Sequence, residues 1–326
     1  MKRILVTGAA GFVGRHALSA LADAADPSDR IVGIGRGLPD KLPDGVTFRQ
    51  IDLLGGDELS AFVADYKPTD VLHLAAMASV QQSADAPAET WRANIVGLLN
   101  LAEALMRSAP GSNVFFASSG EVYGRAFLGG VAVAEDVEPV PLGSYARSKW
   151  FGEQILADVL GKSGPGKSGI RLVILRPFNH IGPGQDERFV VPSFAGQIAR
   201  IEAGLAPPVL EVGNLAAERD FLPIGDVVRA YVGLIERADE IRSGTVFNIA
   251  SGQPRSIASV LADLAALSRA SFETRVAADR MRPSEIPLAL GDASRLRTAI
   301  GWAPEADWTQ TLESILSSAR RNAAQV

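Results

Sequence analysis

Short apolar runs alternate with amphipathic stretches through the first half of the chain. The runs are rich in Val, Ile, Leu and Phe, which is typical of strands buried in a parallel sheet. The stretches between them repeat apolar positions every three or four residues, as helices that pack on a sheet do. The strands predicted in this way are residues 2–7, 30–35, 46–53, 70–76, 113–117 and 170–175.

This alternation predicts an α/β protein with a Rossmann-type, doubly wound parallel sheet. The pattern weakens after residue 178, so we expect a smaller C-terminal lobe that binds substrate. Residues 1–178 and 225–252 are assigned to the sheet domain, and residues 179–224 and 253–326 to the lobe. Residues 162–169, rich in Gly, Lys and Ser, are expected to form an exposed connection.

Composition narrows the classes of protein that the chain can be. It has 326 residues, 47% of them hydrophobic, a net charge of −5 and no cysteine. Disulfide scaffolds and thiolate catalysis are excluded, and the absence of a basic run argues against nucleic acid or an anionic membrane as partner. No apolar run is long enough for a membrane span, so we expect a cytoplasmic protein.

A glycine motif follows the first strand and precedes a helical pattern. Gly8, Gly11 and Gly14 have the spacing of a dinucleotide-binding turn, with Phe12 and Val13 between the last two. Gly8 permits a tight turn, Gly11 lets the backbone approach a pyrophosphate, and Gly14 lets helix pack on strand. The alternative is a turn without a ligand. The strand–turn–helix context favours cofactor binding by all five residues.

Residues at the ends of the next strands suggest which cofactor is bound. Arg36 follows the second strand, where an acidic residue would bind the ribose of NAD and an arginine suits the 2′-phosphate of NADP. NADP(H) is therefore preferred over NAD(H), although Arg36 could also be a solvated loop residue. Asp52 and Leu53 are expected near the adenine. Ala75 and Ala76 leave room for the cofactor, unless they are simply small core residues.

Tyr145 and Lys149 are four residues apart in a helical pattern, so they lie on one face of the helix. A free tyrosine has a pKa of about 10, and a nearby ammonium lowers it. Lowering that pKa to neutral pH requires roughly 4 kcal/mol of stabilisation of the phenolate. Taken alone, the pair could be a surface tyrosine beside a solvated lysine. Ser119, after the fifth strand, could hold a substrate carbonyl against Tyr145. Asn94, in an apolar stripe, is either a packing oddity or part of this network.

The chain resembles the extended short-chain dehydrogenase/reductase superfamily in the glycine motif, Ser119, Tyr145 and Lys149. The resemblance implies that Tyr145 is the acid/base and that Lys149 binds the nicotinamide ribose and lowers the tyrosine pKa. It also implies that Ser119 positions the carbonyl and that Asn94 is the fourth active-site residue. The three scattered histidines argue against a metal site.

The C-terminal half resembles GDP-4-dehydro-6-deoxy-D-mannose reductases over residues 176–185, 209–215, 219–221, 282–285 and 291–294. This resemblance implies that Asn179 and Arg219 lie on the diphosphate side of a GDP-linked 4-keto-6-deoxy sugar. Arg282 would also lie near phosphate, and Glu285 would accept hydrogen bonds from ribose hydroxyls. Arginine suits phosphate oxygens, but surface ion pairs remain the alternative.

The implied activity is an NADPH-preferring reduction of the sugar C4 ketone to GDP-D-rhamnose, and reduction from the other face would give GDP-6-deoxy-D-talose. Glu121 stands where sugar-nucleotide 4,6-dehydratases keep their general base, so it is assigned to the catalytic and substrate-binding set. Gly120 replaces the acidic residue found beside it in dTDP-glucose dehydratases, whereas GDP-mannose dehydratases tolerate a small residue there. The alternatives are a GDP-mannose 4,6-dehydratase or a nucleotide-sugar epimerase and, more remotely, a non-catalytic nucleotide-binding regulator.

Two helices carry more apolar surface than packing on their own sheet needs. They lie near residues 86–107 and 145–160. In the resembling family, the corresponding helices pair across a twofold axis, so we expect a homodimer. The alternative places all of the apolar residues in the monomer core: Trp91, Ile95, Leu98, Leu99, Leu101, Leu105, Trp150, Phe151, Ile155 and Leu156.

Overall fold

The computed structural model describes residues 1–160, 169–280 and 286–325. Its strands are β1 (Arg3–Thr7), β2 (Arg30–Gly35), β3 (Val46–Gln50), β4 (Asp70–His73), β5 (Asn113–Ala117), β6 (Arg171–Pro177), β7 (Asn179–Ile181), β8 (Val209–Val212), β9 (Glu218–Pro223), β10 (Thr245–Ile249), β11 (Pro254–Ser256), β12 (Glu273–Val276) and β13 (Leu288–Ala289). Residues 162–168 of the predicted exposed connection lie outside the described residues.

The helices are α1 (Phe12–Ala24), α2 (Gly56–Tyr66), α3 (Val80–Asp85), α4 (Pro87–Trp91), α5 (Gly97–Ser108), α6 (Gly143–Val159), α7 (Val190–Glu202), α8 (Ile224–Glu236), α9 (Ile257–Ala266), α10 (Ser294–Ile300) and α11 (Trp308–Ala323). A π-helical turn, Arg92–Val96, joins α4 to α5. No helix within the described ranges combines the length and the apolar character that crossing a membrane requires.

A seven-stranded parallel sheet forms the centre of the molecule, in the order β10-β6-β5-β4-β1-β2-β3. The predicted Rossmann-type parallel sheet is therefore confirmed. The predicted third strand ends early, at Gln50, because the Asp52 side chain accepts the N–H of Leu54 at 3.0 Å and turns the chain. The segment after residue 225 returns to the sheet, since β10 pairs with β6.

Helices cover both faces of this sheet, which explains why its strands are apolar almost throughout. On one face, α1 and α8 contribute buried residues such as Leu18 and Val227. On the other face, α2, α5 and α6 contribute Leu59, Leu101 and Leu156. Each such side chain stabilises the fold by about 1.5–3 kcal/mol on full burial. This covering leaves the carboxyl ends of the strands as the place where a ligand can enter.

The later segments form smaller sheets with a separate apolar cluster. Strand β9 pairs with β7, β11 and β13, and β8 pairs with β12. Helices α7, α9 and α11 pack together through residues such as Phe194, Leu261 and Leu316. The division of the chain into a sheet domain and a lobe remains a prediction. Leu296 and Trp302, which it places in the lobe, belong to the apolar cluster on the α1/α8 face of the main sheet.

Candidate active site

A cavity of about 510 Å³ opens at the carboxyl ends of the central strands. All twelve residues predicted to bind the cofactor line it: Gly8, Gly11, Phe12, Val13, Gly14, Arg36, Asp52, Leu53, Ala75, Ala76, Tyr145 and Lys149. Its wall also includes Ser119, Glu121 and Asn179. Arg282 and Glu285 lie outside the described residues. The roles of these residues stay predictions, but the fold places most of them around one space.

The glycine turn at one end of the cavity has no room for side chains. Gly8 has a φ of +68°, and a Cβ added to it would lie 2.8 Å from backbone atoms of Ala75. A Cβ on Gly14 would lie 2.3 Å from the Gly8 carbonyl oxygen. Helix α1 begins at Phe12, directly after this turn. A helix N-terminus with such an approach suits a pyrophosphate, so the residues present fit a dinucleotide.

Tyr145 and Ser119 meet in the cavity wall, at the start of α6 and the end of β5. Burial raises the pKa of Tyr145 to about 12, while the hydrogen bond with Ser119 lowers it and the Glu121 carboxylate raises it. The cost of burying a phenolate therefore raises the pKa, where the helical spacing of Tyr145 and Lys149 predicts a lowering. Ser119 Oγ also accepts the N–H of Glu121 at 3.1 Å. Tyr145 thus carries its proton at neutral pH and can act as an acid.

Lys149 is buried and points along the end of β5. Its Nζ donates to the Ala117 carbonyl oxygen at 2.7 Å and lies 5.2 Å from the centre of the Phe116 ring. Burial lowers its pKa to about 8, and the Glu153 carboxylate opposes that shift. The side chain is therefore mostly charged at neutral pH, although it lies in a largely apolar wall.

Asn94 belongs to a hydrogen-bond network rather than to an apolar contact. It sits in the π-helical turn, where the extra residue per turn lets its side chain point inwards. Its Oδ1 accepts the N–H of Met77 at 2.8 Å, and its Nδ2 donates to Ser148 Oγ at 2.8 Å. Met77 lines the cavity, and Ser148 lies between Tyr145 and Lys149 on α6. Asn94 thereby joins the loop after β4 to the helix that carries the two candidate catalytic residues.

Glu121 and Arg219 approach each other from the two halves of the chain. Burial raises the pKa of Glu121, and Arg219 opposes the rise. Burial lowers the pKa of Arg219, and Glu121 opposes that shift. The guanidinium also donates from Nη1 to the Glu218 carbonyl oxygen at 2.7 Å. An arginine assigned to the diphosphate side thus also lies near the candidate catalytic residues.

A buried ion pair behind α6 was not predicted from the sequence. Arg176, at the end of β6, holds the carboxylate of Glu153 through two hydrogen bonds of 3.0 and 2.7 Å. Ser118 Oγ donates to the same carboxylate. The sequence does contain a sign of this ion pair. Glu153 follows Lys149 by four residues and so lies on the same inward-facing side of the helix, where a solvated charge is not expected.

The described residues contain no group of three His, Asp or Glu side chains arranged as metal ligands. Each histidine has another partner. His73 Nδ1 lies 2.8 Å from Thr7 Oγ1, His16 Nε2 lies 3.1 Å from the Pro183 carbonyl oxygen, and His180 Nδ1 lies 2.9 Å from that of Phe178. Burial lowers the pKa of all three.

Comparison with known proteins places these features in context. A sequence model of the NAD dependent epimerase/dehydratase family matches residues 4–250. The chain is 35% identical over 316 residues to a GDP-6-deoxy-D-mannose reductase from Pseudomonas aeruginosa, covering 97% of this chain and 96% of that relative. It is 29% identical to a UDP-glucose 4-epimerase from Azospirillum brasilense, covering 97% and 90%. The solved structure of RMD from Pseudomonas aeruginosa complexed with NADPH superposes with a TM-score of 0.84 at 34% identity, covering 99% and 100%.

Proposed function

The chain belongs to the NAD dependent epimerase/dehydratase family, and on that basis we propose that it is an NADPH-preferring reductase. Its substrate is GDP-4-dehydro-6-deoxy-D-mannose, whose C4 ketone it reduces to give GDP-D-rhamnose. One observation carries the proposal: Tyr145 hydrogen-bonds with Ser119 in the wall of the same cavity as the glycine turn. The 35% identity to a GDP-6-deoxy-D-mannose reductase supports the choice of substrate.

Residues at both ends of the cavity would hold the cofactor. The turn around Gly8 and Gly14, with the N-terminus of α1, suits the pyrophosphate, and Lys149 suits the hydroxyls of the nicotinamide ribose. Arg36 is exposed at the cavity rim, and within the described residues no carboxylate pairs with it, so it is free to bind a 2′-phosphate. A bound NADPH supplies the hydride that reduces C4.

The chain's own residues supply the proton. Tyr145, with a pKa of about 12, keeps its proton until the ketone oxygen gains negative charge, and then donates it. The Ser119 hydroxyl steadies the same oxygen, since it already hydrogen-bonds with Tyr145. Lys149 adds positive charge within the same buried wall, one helical turn from Tyr145. The three residues therefore favour an alkoxide that is protonated as it forms.

The later half of the chain would bind the nucleotide sugar. Asn179, the first residue of β7, lines the cavity, and Arg219 on β9 lies near Glu121. We assign both to the diphosphate side, with Arg282 and Glu285 as further ligands on the strength of the family resemblance. The proposal also includes a cofactor domain over residues 1–178 and 225–252 and a substrate lobe over residues 179–224 and 253–326.

The 4,6-dehydratase alternative needs an acid and a base next to the sugar. Glu121 could serve as the base, because burial raises its pKa. The neighbouring position is less suitable for the acid of a dTDP-glucose dehydratase, since a Cβ on Gly120 would lie 3.0 Å from the Phe178 ring. An acidic side chain there would have to displace a buried aromatic residue. The 29% identity to a UDP-glucose 4-epimerase keeps an epimerase as the second candidate.

Product analysis separates these functions. Purified protein is incubated with GDP-4-dehydro-6-deoxy-D-mannose and NADPH, and the sugar product is identified by NMR. We expect stoichiometric NADPH oxidation and GDP-D-rhamnose. GDP-6-deoxy-D-talose would show the opposite facial choice. Parallel reactions contain GDP-mannose or UDP-glucose without reductant. Formation of the 4-keto-6-deoxy sugar from GDP-mannose would show a dehydratase, and UDP-galactose from UDP-glucose would show an epimerase.

We also propose that two copies of the chain pair through α5 and α6. Leu98, Leu101, Leu105 and Leu156 lie in the core of the monomer and do not contribute to such a surface. An apolar surface remains outside the core: Phe151 is 50% exposed and Val96 44% exposed. The rings of Trp91 and Phe151 pack edge to face, with their centres 5.6 Å apart. This surface is smaller than the sequence pattern indicated, but it lies on the predicted helices.

A further inference from the structure

The stripe on α6 that carries Tyr145 and Lys149 continues to a third polar residue. Glu153 lies four residues beyond Lys149 and is 1% exposed. A carboxylate is costly to bury unless it is paired and hydrogen-bonded. Neither the acid/base step nor the proposed ligand contacts use this residue, so its burial requires another explanation.

Three contacts fix the Glu153 carboxylate. Arg176 donates from Nε to Oε1 at 3.0 Å and from Nη2 to Oε2 at 2.7 Å. Ser118 Oγ donates to Oε1. The guanidinium in turn lies 4.8 Å from the centre of the Tyr123 ring and 5.8 Å from that of Trp150. The ion pair is bidentate, and its guanidinium packs against two aromatic rings. The carboxylate therefore has little freedom to move.

The same stripe therefore holds the end of β5 at two successive residues. Lys149 binds the carbonyl oxygen of Ala117, and Glu153 accepts from the hydroxyl of Ser118. The next residue is Ser119, which hydrogen-bonds with Tyr145. A change at Glu153 would release the residue that precedes Ser119 and would remove a negative charge near Lys149.

We propose that Glu153 is a positioning residue for the reductase reaction: clamped by Arg176, it fixes Ser118, and hence Ser119, and it places a carboxylate one helical turn from Lys149. This inference rests on the proposed function, because it assigns Glu153 to the same catalytic step. It gives the buried ion pair a role in catalysis in addition to any role in folding.

The charge on Lys149 depends on the groups that face it. Glu153 and Tyr145 lie on its own helix, His73 lies on β4, and Arg176 on β6 pairs with Glu153. Burial lowers the pKa of Lys149 to about 8, and Glu153 opposes this shift. Burial keeps His73 neutral, since its pKa falls to about 3. Without the Glu153 carboxylate, Lys149 would lose its proton at a lower pH than in the wild type.

The test uses two substitutions that separate the two effects. Glu153→Gln removes the charge, so the alkaline limb of the kcat–pH profile should move to lower pH by about one unit. Ser118→Ala removes only the hydrogen bond to Glu153. In this variant kcat should fall by about tenfold or more, and the alkaline limb of the kcat–pH profile should stay at its wild-type pH. Glu202→Gln is the matched control, because Glu202 also binds an arginine, Arg320, through two hydrogen bonds but lies in the later half of the chain. It should change neither quantity.

Glu153→Gln leaves Arg176 as an unpaired buried charge, so it could impair folding. The double variant Glu153→Gln/Arg176→Met removes both charges and should fold while retaining the shifted limb. The proposal would be overturned if a folded Glu153 variant and Ser118→Ala both had the wild-type kcat and the wild-type alkaline limb of the kcat–pH profile.

A second readout does not depend on turnover. The Nζ resonance of Lys149 in ¹⁵N-lysine-labelled protein, assigned by its loss in Lys149→Met, is followed as a function of pH in the wild type and the double variant. Its titration should shift to lower pH in the double variant, and coincident curves would contradict a role for Glu153 in keeping Lys149 charged. If the wild type reduces no nucleotide sugar, the proposed function fails, but this comparison still measures the effect of Glu153 on Lys149.

Discussion

Asn94 donates a hydrogen bond from Nδ2 to Ser148 Oγ at 2.8 Å, and Ser148 Oγ donates to the carbonyl oxygen of Tyr145 at 2.8 Å. Two segments that are distant in sequence are thereby joined at the start of the helix that carries Tyr145 and Lys149. The other end of the Asn94 side chain accepts the N–H of Met77, in the loop after β4. The position of Tyr145 therefore depends on an amide that does not itself line the cavity wall.

Replacing Asn94 by alanine should destabilise the protein by about 1–3 kcal/mol, because the Met77 N–H would lose its partner. Urea denaturation followed by fluorescence measures the change. Asn214→Ala is the control: its Oδ1 accepts one N–H, from the exposed Ala216, so the loss there should be about 0.5 kcal/mol or less. Equal losses in the two variants would contradict a central role for Asn94.

Tyr145→Phe should reduce kcat by roughly 10² or more, because the ketone oxygen loses its proton donor. NADPH affinity should change little, and fluorescence titration with NADPH measures it. Tyr66→Phe provides the comparison, since the Tyr66 hydroxyl donates to backbone carbonyls of Ile4 and Arg30 at the other end of the sheet. Near-wild-type turnover by Tyr145→Phe would show that another residue donates the proton.

Arg36→Ala should lower kcat/KM for NADPH by an amount equivalent to about 1–3 kcal/mol. The kcat/KM for NADH should stay almost unchanged, since only NADPH carries the 2′-phosphate. Steady-state kinetics with each cofactor measures the ratio. Arg49→Ala is the matched substitution, because Arg49 is exposed on β3 opposite Ile34 but does not line the cavity. A parallel loss with both cofactors would assign Arg36 to general binding rather than to selectivity.

Acid should destabilise the protein partly through His73. Its pKa is about 3 in the folded state and about 6.5 when unfolded, so the unfolded chain binds the proton first. Stability contributed by His73 is complete above pH 6.5 and should fall by about 2 kcal/mol at pH 5. His73→Asn retains a partner for Thr7 and should flatten the dependence of the unfolding free energy on pH between 5 and 7. Identical slopes would exclude this contribution.

The wild-type protein should have the mass of a dimer in light scattering at micromolar concentration, and Phe151→Glu should shift it towards the monomer. The reason is that a carboxylate would be buried in the proposed contact of α5 and α6. Leu205→Glu is the control, since Leu205 is similarly exposed, at 52%, beyond the end of α7. A monomeric wild type would refute the pairing altogether.

Local signals in the sequence were sufficient for the sheet and for much of the cavity wall. The glycine turn, the strand ends and the Tyr145–Lys149 spacing each depend on residues close together in the chain. The approach of Glu121 to Arg219 and the clamp on Glu153 could not be predicted in this way, because each joins residues on different elements. The raised pKa of Tyr145 could not be predicted from the sequence for a related reason. Burial sets it, and burial depends on the whole fold.

The main sheet is completed by a strand that is synthesised late. Strand β6 ends at Pro177, but its outer neighbour β10 begins only at Thr245, and the Phe178 N–H also bonds to the Ile249 carbonyl oxygen at 2.9 Å. While residues 178–244 are emerging from the ribosome, the edge of β6 has no partner from β10. Unpaired edges promote aggregation. Truncation near residue 178 would make that temporary exposure permanent. Residues 1–178 are therefore poorly suited to expression as a separate fragment.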